Sequence, residues 1–276
     1  MIDQLLKNFT WKHGLATATG VIVGAVMMAS QAAAWDIRAM NKHIDQTNFI
    51  VGNGCSGTLV DIEERLILTN HHCIDQAIKT RSVDVTGPDG MVSKQTIEDL
   101  KPVPVSQRSY DGHEVVGEST YMSEIVGYNK DLDLGLLQLR AVSIPQTLEA
   151  ELFLGDVQRG EIAYVVGNPL GMDATVMKGV ISSTNRKVRV GLREAPYLQV
   201  DAGITGGNSG GALYNDEGLF IGVPGAAARG TVVGLAVPVK FVIEFLDDNC
   251  WSNVYDNEFN RDECLNPTEE DENEDS

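Results

Sequence analysis

From Phe49 onward the sequence never holds one texture for long. Short β-branched and leucine-rich runs, among them CSGTLVDI, RLILTN, EIVGY, DLGLLQL, IAYVVGN, VMKGVISS, YLQVDAG and VVGLAVP, are broken repeatedly by Gly, Pro, Asn or Asp. Runs of this length suit strands, and turn signals this close together favour a sandwich or barrel over alternating strand-helix units. An all-β fold is therefore predicted. With 43% hydrophobic and 22% charged side chains, the chain has the composition to bury a core.

Exceptions to the strand pattern lie near the ends. Val239 to Asp247 (VKFVIEFLD) places Phe241, Val242 and Phe245 at helical spacing, which predicts a helix packed on the last strands. Trp35 to Asn48 is polar and mixed, a helical or irregular lead-in. Ile144 to Gly160, with Pro145 and a polar middle, is the expected connection between two strand-rich halves. Before them, Lys7 and Lys12 precede an apolar run from Leu15 to Ser30 and the small residues Ala32, Ala33 and Ala34. That is the layout of a signal peptide spanning 1–34. An uncleaved anchor is the alternative, because the stretch is nearly long enough to span a bilayer. Either reading exports the remainder, so membrane association is expected only if the segment stays uncut.

The net charge of −18 argues against a nucleic-acid partner, which needs a basic footprint. Between Asp247 and Ser276 twelve acidic residues face the single Arg261, so this segment carries −11 of the total. Residues 251–276 are read as an acidic tail, and the stretch from Asn266, without an apolar core former beyond Pro267, is expected to be disordered. Export permits disulfides. Cys55, Cys73, Cys250 and Cys264 admit three pairings, of which Cys55–Cys73 with Cys250–Cys264 closes the shortest loops.

The strongest chemical signal is Gly207-Asn208-Ser209-Gly210-Gly211, a serine flanked by glycines just before Ala212, Leu213 and Tyr214. Glycines let the backbone turn sharply and approach a substrate, and such a turn can converge N–H groups on an oxyanion. A hairpin turn with a locally bonded serine is the plainer reading. The pentapeptide also fits the nucleophile elbow of α/β-hydrolases, in which the histidine follows the serine. Here His13, His43, His71, His72 and His113 all precede Ser209, which decides against that fold; the order His, then Asp, then Ser is instead the chymotrypsin order. LILTNHHC supplies a histidine beside a cysteine. DLDLGLL supplies Asp131 and Asp133 at the head of an apolar run, where a buried carboxylate needs a partner such as an imidazole N–H. His71, His72 and Cys73 also suggest a partial metal site, but no second ligand cluster accompanies them, and neither metal nor other cofactor is expected.

Together CSGTLV, LTNHHC, YNKDLDLGLLQL, VVGNPLGM, VMKGVISS, VDAGITGGNSGGAL and VGLAVP resemble the trypsin-like serine proteases, most closely the protease domain of the HtrA (DegP-like) family, from about Gly54 to Leu246. The resemblance implies two six-stranded antiparallel β-barrels with a C-terminal helix, the first at about 49–143 and the second at about 150–240, in a domain at 49–250. It implies a serine endopeptidase acting on polypeptides, with Ser209 as nucleophile, His72 as base and Asp133 orienting it. Gly207 and Ser209 would supply the oxyanion-hole amides, and Cys55 and Cys73 would bracket the histidine's strand. Gly203, Ile204, Thr205 and Gly234 would form the specificity pocket. None of these is a carboxylate, so an apolar or small residue is expected before the scissile bond.

This chain also departs from the pattern. Only three residues separate Val51 from Cys55, and Asn208 stands where trypsin-like zymogens have an aspartate, so activation by a new N-terminal ion pair is not expected. No PDZ-sized region follows Leu246 in this sequence. The long span between His72 and Asp133 suggests an inserted loop near Thr86 to Tyr121.

Overall fold

The computed structural model describes residues 35–86, 88, 91–112, 114–190, 193–227 and 231–266. The leader assigned to 1–34, His113 and the acidic run 267–276 lie outside the described residues.

The lead-in is helix α1 (Ile37–Thr47), capped by the Asp36 carboxylate, which accepts from Arg38 N–H and Ala39 N–H at 3.0 and 3.1 Å. A side-chain acceptor at this position satisfies amides that the first helical turn leaves without partners. The chain then forms β1 (Asn48–Val51), β2 (Cys55–Asp61), β3 (Leu66–Thr69), β4 (Ile78–Thr86), β5 (Val92–Leu100), β6 (Val103–Asp111), β7 (Glu114–Asn129) and β8 (Leu134–Leu139). Six of these close an antiparallel barrel in the order β1-β2-β3-β8-β7-β6. A second closed barrel, ordered β10-β11-β14-β13-β12-β9, is built from β9 (Ile162–Gly167), β10 (Thr175–Val190), β11 (Arg193–Val200), β12 (Ala212–Tyr214), β13 (Phe220–Ala227) and β14 (Gly234–Pro238). Helix α2 (Val239–Asp248) follows directly, burying Val239, Val242, Phe245 and Leu246. The predicted all-β class, paired barrels and terminal helix are all present.

Strand period explains the unbroken apolar runs. Along β3, Ile67 points into the first barrel with Leu59, Val105 and Leu137, while Leu66 and Leu68 point outward. Outward does not mean toward water: they join Leu134, Leu136, Tyr164, Val166, Tyr214 and Phe220 in one cluster shared by the two barrels. A strand buried on both faces cannot alternate apolar with polar, so LILT and LGLLQL read as continuous hydrophobic stretches. The interior of the second barrel is a separate cluster of Ala163, Val165, Ile181, Leu198, Val200, Leu213, Ile221 and Ala236.

Between His72 and Asp133 the extra residues are not a loop at 86–121. They form two ribbons: β4 pairs with β5 from Ile78 opposite Leu100 to Thr86 opposite Val92, outside the barrel, and β6 pairs with β7 out to Asp111 opposite Glu114. Of residues 251–276, those up to 266 are described. Trp251 is 1% exposed beneath the Arg261 guanidinium, 3.5 Å from its ring, and a short helix α3 (Arg261–Leu265) is tied back by the Cys250–Cys264 disulfide. Among the described residues no helix is long and apolar enough to cross a membrane.

Candidate active site

Strands β3 and β8 are barrel neighbours, with Thr69 opposite Gly135. The residue run leaving β3 and the run entering β8 therefore meet at one barrel end. His72 sits in the tight turn His71–Cys73 after β3, and Asp133, with φ 52, immediately precedes β8. His72 Nδ1 lies 2.9 and 3.0 Å from the Asp133 carboxylate oxygens, and His72 backbone N–H also donates to Oδ1 at 3.0 Å. Asp131 is exposed and takes no part. Bonding to the carboxylate raises the His72 pKa above the ordinary 6.5, against the opposing effect of burial. Nδ1 is thus the protonated nitrogen, which leaves Nε2 as an acceptor. His71 instead faces Tyr128, and burial lowers its pKa.

Ser209 arrives from the second barrel, in the turn between β11 and β12. Its C=O accepts from Ser56 N–H at 2.8 Å and lies 3.7 Å from Cys73 Sγ. Next to it Gly210, at φ 83, packs so tightly that a Cβ would overlap Thr69 Oγ1 and Ser56 O. These contacts set the serine turn against the residues that carry His72. Among the described residues, however, no hydrogen bond joins Ser209 Oγ to His72. Apo sites commonly leave this bond long until substrate binds.

Amides around the serine fall into two groups. Asn208, Gly210 and Gly211 N–H donate to Thr205, Pro224 and Asn208 carbonyls at 3.1, 3.0 and 3.0 Å. Gly207 N–H and Ser209 N–H are donated to no acceptor among the described residues. Two unspent amides in alternation, at a glycine with φ 101 and at the serine, have the form of an oxyanion-hole pair.

Of the expected pocket residues, Gly203 is half-buried, Thr205 exposed, and Ile204 and Gly234 buried. Ile204 packs over Gly234, where a Cβ would stand 2.5 Å from its Cδ1. The sulfurs of Cys55 and Cys73 are joined in a disulfide beside His72 and so offer no thiolate to a metal. An open recess of about 480 Å³ adjoins them, lined in part by Gly54, His72, Asp75, Lys101 and Pro104.

Sequence reasoning missed the polar residues that brace this site. Asn70 is fully buried and donates to Asp133 C=O at 2.8 Å. Ser56, Asn168 and Asn208 are also buried, and neither carboxamide atom of Asn208 finds a partner among the described residues. An asparagine directly following the apolar LILT was the available signal, since a polar group continuing a buried strand must find partners.

Residues 55–223, more than half of the chain, match the family model described as a trypsin-like peptidase domain. The chain belongs to the trypsin-like peptidase family. Relatives of this family member include a probable periplasmic serine endoprotease, DegP-like, from Chlamydia trachomatis, 31% identical over 67% of this chain and 31% of that protein. The putative serine protease HhoA of Synechocystis is 31% identical over 69% of this chain and 41% of its own length. The mitochondrial serine protease HTRA2 of Drosophila willistoni is 32% identical over 72% and 39% respectively. The chain thus spans roughly a third of the length of the curated relatives it matches. Solved structures agree on the fold. The MamO protease domain of Magnetospirillum magneticum superposes with TM-score 0.56 at 19% identity, over 73% of this chain and 96% of that one. A serine endoprotease from Yersinia pestis gives TM-score 0.54 at 22% identity, over 76% and 65%.

Proposed function

We propose that this chain is a serine endopeptidase with Ser209, His72 and Asp133 as its triad. The observation that carries the reading is the pairing of His72 Nδ1 with both Asp133 oxygens, beside a serine whose own amide and that of Gly207 are unspent among the described residues. In the first step Ser209 Oγ attacks the scissile carbonyl carbon while its proton passes to His72 Nε2. Gly207 N–H and Ser209 N–H receive the resulting oxyanion. His72 then returns the proton to the leaving amine as the C–N bond breaks, giving an acyl-enzyme. Water repeats the sequence, with the same histidine as base, and frees Ser209. Asp133 keeps its charge throughout and stabilises the imidazolium.

The substrate is a polypeptide lying between the barrels, with an apolar or small side chain directed toward Gly203, Ile204 and Gly234. Nothing acidic stands among these residues to receive Lys or Arg, and a buried cation without a counter-charge is costly. Export is supported by the leader pattern at 1–34 and by two disulfides, which belong to oxidising compartments.

A fluorophosphonate probe tests the reading directly. Labelling of the full chain that disappears in Ser209→Ala, with casein digestion lost in parallel, is the expected result. The absent Ser209–His72 hydrogen bond favours one rival, a catalytically silent peptide-binding relative. That rival predicts no labelling in either protein. Cleavage of a peptide library dominated by Lys and Arg would overturn the specificity.

A further inference from the structure

We infer that Ser56, acting with Asn168, is a positioning residue: from the first barrel it fixes the peptide that follows Gly207, while the segment held by Asn168 sets the preceding peptide, whose N–H, at Gly207, receives the oxyanion. This rests on the endopeptidase reading above.

Ser56 lies in β2, fully buried between Cys55 and Gly57. Its hydroxyl donates to Gly207 C=O at 2.7 Å and accepts from Asn168 N–H at 2.8 Å and from Asn168 Nδ2 at 2.9 Å. One donor and two acceptor sites are all that a serine hydroxyl has, so this group is saturated, and every partner belongs to the second barrel. The backbone of the same residue holds the nucleophile, through Ser56 N–H to Ser209 C=O at 2.8 Å. Ser56 thus grips the turn on both sides of Asn208.

Asn168 completes the brace. Its Nδ2 also donates to Phe49 C=O at 2.9 Å, and its Oδ1 accepts from Asn48 Nδ2 at 2.9 Å and Ala174 N–H at 3.1 Å. These bonds pin the segment 168–174 to β1. Within that segment Leu170, at φ 55, donates its N–H to Gly206 C=O at 2.9 Å. In a trans peptide the carbonyl and the following N–H point in opposite directions. Leu170 therefore turns the Gly206–Gly207 carbonyl one way and the Gly207 N–H the other, which leaves that amide without an acceptor among the described residues. Ser56 fixes the next peptide through Gly207 C=O, so both peptide planes flanking Gly207 are set. Glycine is required between them, because a Cβ would overlap Asn168 O. The far end of the segment is tethered as well, Asp173 accepting from Arg108 and Tyr110 of β6.

The consequence is that the oxyanion donors, although they belong to the second barrel, are oriented by the first. Ser56→Ala in the full chain releases the Gly207 carbonyl without adding bulk. The expected result, measured on a chromogenic peptide well below the melting temperature, is a kcat reduced roughly ten- to hundred-fold with KM within about two-fold. Affinity for a peptide aldehyde, which forms a tetrahedral adduct, should weaken in parallel with kcat. A merely structural serine would lower the melting temperature and leave this split unmoved. Wild-type kcat in Ser56→Ala, or a loss confined to KM, overturns the inference. If Ser56→Ala does not fold, Asp173→Asn decides: lowered kcat at constant KM supports the inference, and unchanged kcat overturns it. The fluorophosphonate labelling rate separates this inference from the reading beneath it, since it needs no peptide. A wild type that labels but cleaves nothing sinks the peptidase reading alone, and slower labelling of Ser56→Ala still supports the positioning role. Equal labelling rates, or a wild type that does not label, sink it.

Discussion

His72 and Asp133 are 61 residues apart in the chain, yet the carboxylate receives both the backbone N–H and the ring Nδ1 of the histidine. Two bonds from one residue to one carboxylate fix the imidazole's rotation as well as its tautomer. A general base must be neutral to accept the serine proton, and bonding to Asp133 holds the His72 pKa above 6.5. Activity is therefore expected to rise with pH, with the acid limb of kcat/KM inflecting above 6.5. Asp133→Asn should lower kcat by about 10⁴-fold, because the amide favours the wrong tautomer. The pair's contribution to stability has the opposite sign: it is complete below 6.5 and is lost as pH climbs through the raised pKa. A pH–rate profile with the limb well below 6.5 would show that Asp133 does not couple to the base.

Gly210 is the point of closest approach between the serine turn and the first barrel. Gly210→Ala places a methyl group on Thr69 Oγ1 and Ser56 O at a backbone angle of φ 83. The variant should lose at least about 2 kcal/mol of stability. Its labelling by a fluorophosphonate should fall more steeply than its peptide affinity, since Ser209 moves away from His72. Denaturant unfolding and labelling kinetics measure the two effects separately.

The Asn208 carboxamide is buried without a partner among the described residues, in the place where an aspartate would need a cation. Asn208→Asp should destabilise the chain by about 3 kcal/mol at neutral pH, because a buried carboxylate would stand uncompensated. Burial raises its folded pKa over the unfolded value of about 4, so the penalty is small in acid and grows as pH rises. Melting curves of variant and wild type, compared across pH, should diverge toward alkaline conditions. Constant separation would mean that the carboxylate has found a counter-ion.

Trp35 packs, partly buried, against the cluster shared by the two barrels. Its indole makes edge contacts with His43, Tyr164 and Tyr214, and its backbone N–H donates to Asp216 C=O at 2.7 Å. Burial pushes the His43 pKa down to about 4. A histidine kept neutral when folded costs stability as pH falls from 6.5 toward 4, since the unfolded chain binds the proton first. Trp35→Ala should cost about 2–4 kcal/mol and bring the His43 titration, followed by NMR, back toward the ordinary imidazole value. An unmoved titration would mean that Trp35 does not shield the ring.

Much of this molecule is legible in the residue order, because the properties concerned are local. Strand-length apolar runs, helical spacing at Phe241, Val242 and Phe245, and glycines around Ser209 depend on neighbours within a few positions. The region after Cys250 counts locally as acidic, and no local count shows that Trp251, Arg261 and a disulfide hold residues 250–265 in place. What only the tertiary structure decided is the set of partners. Ser56 looks like any strand serine until closure of two barrels puts its hydroxyl against Gly207, 151 residues away, and Asn168, 112 residues away. A buried polar group must be satisfied by whatever the packing of distant strands brings to it, and no local pattern encodes which atoms those will be.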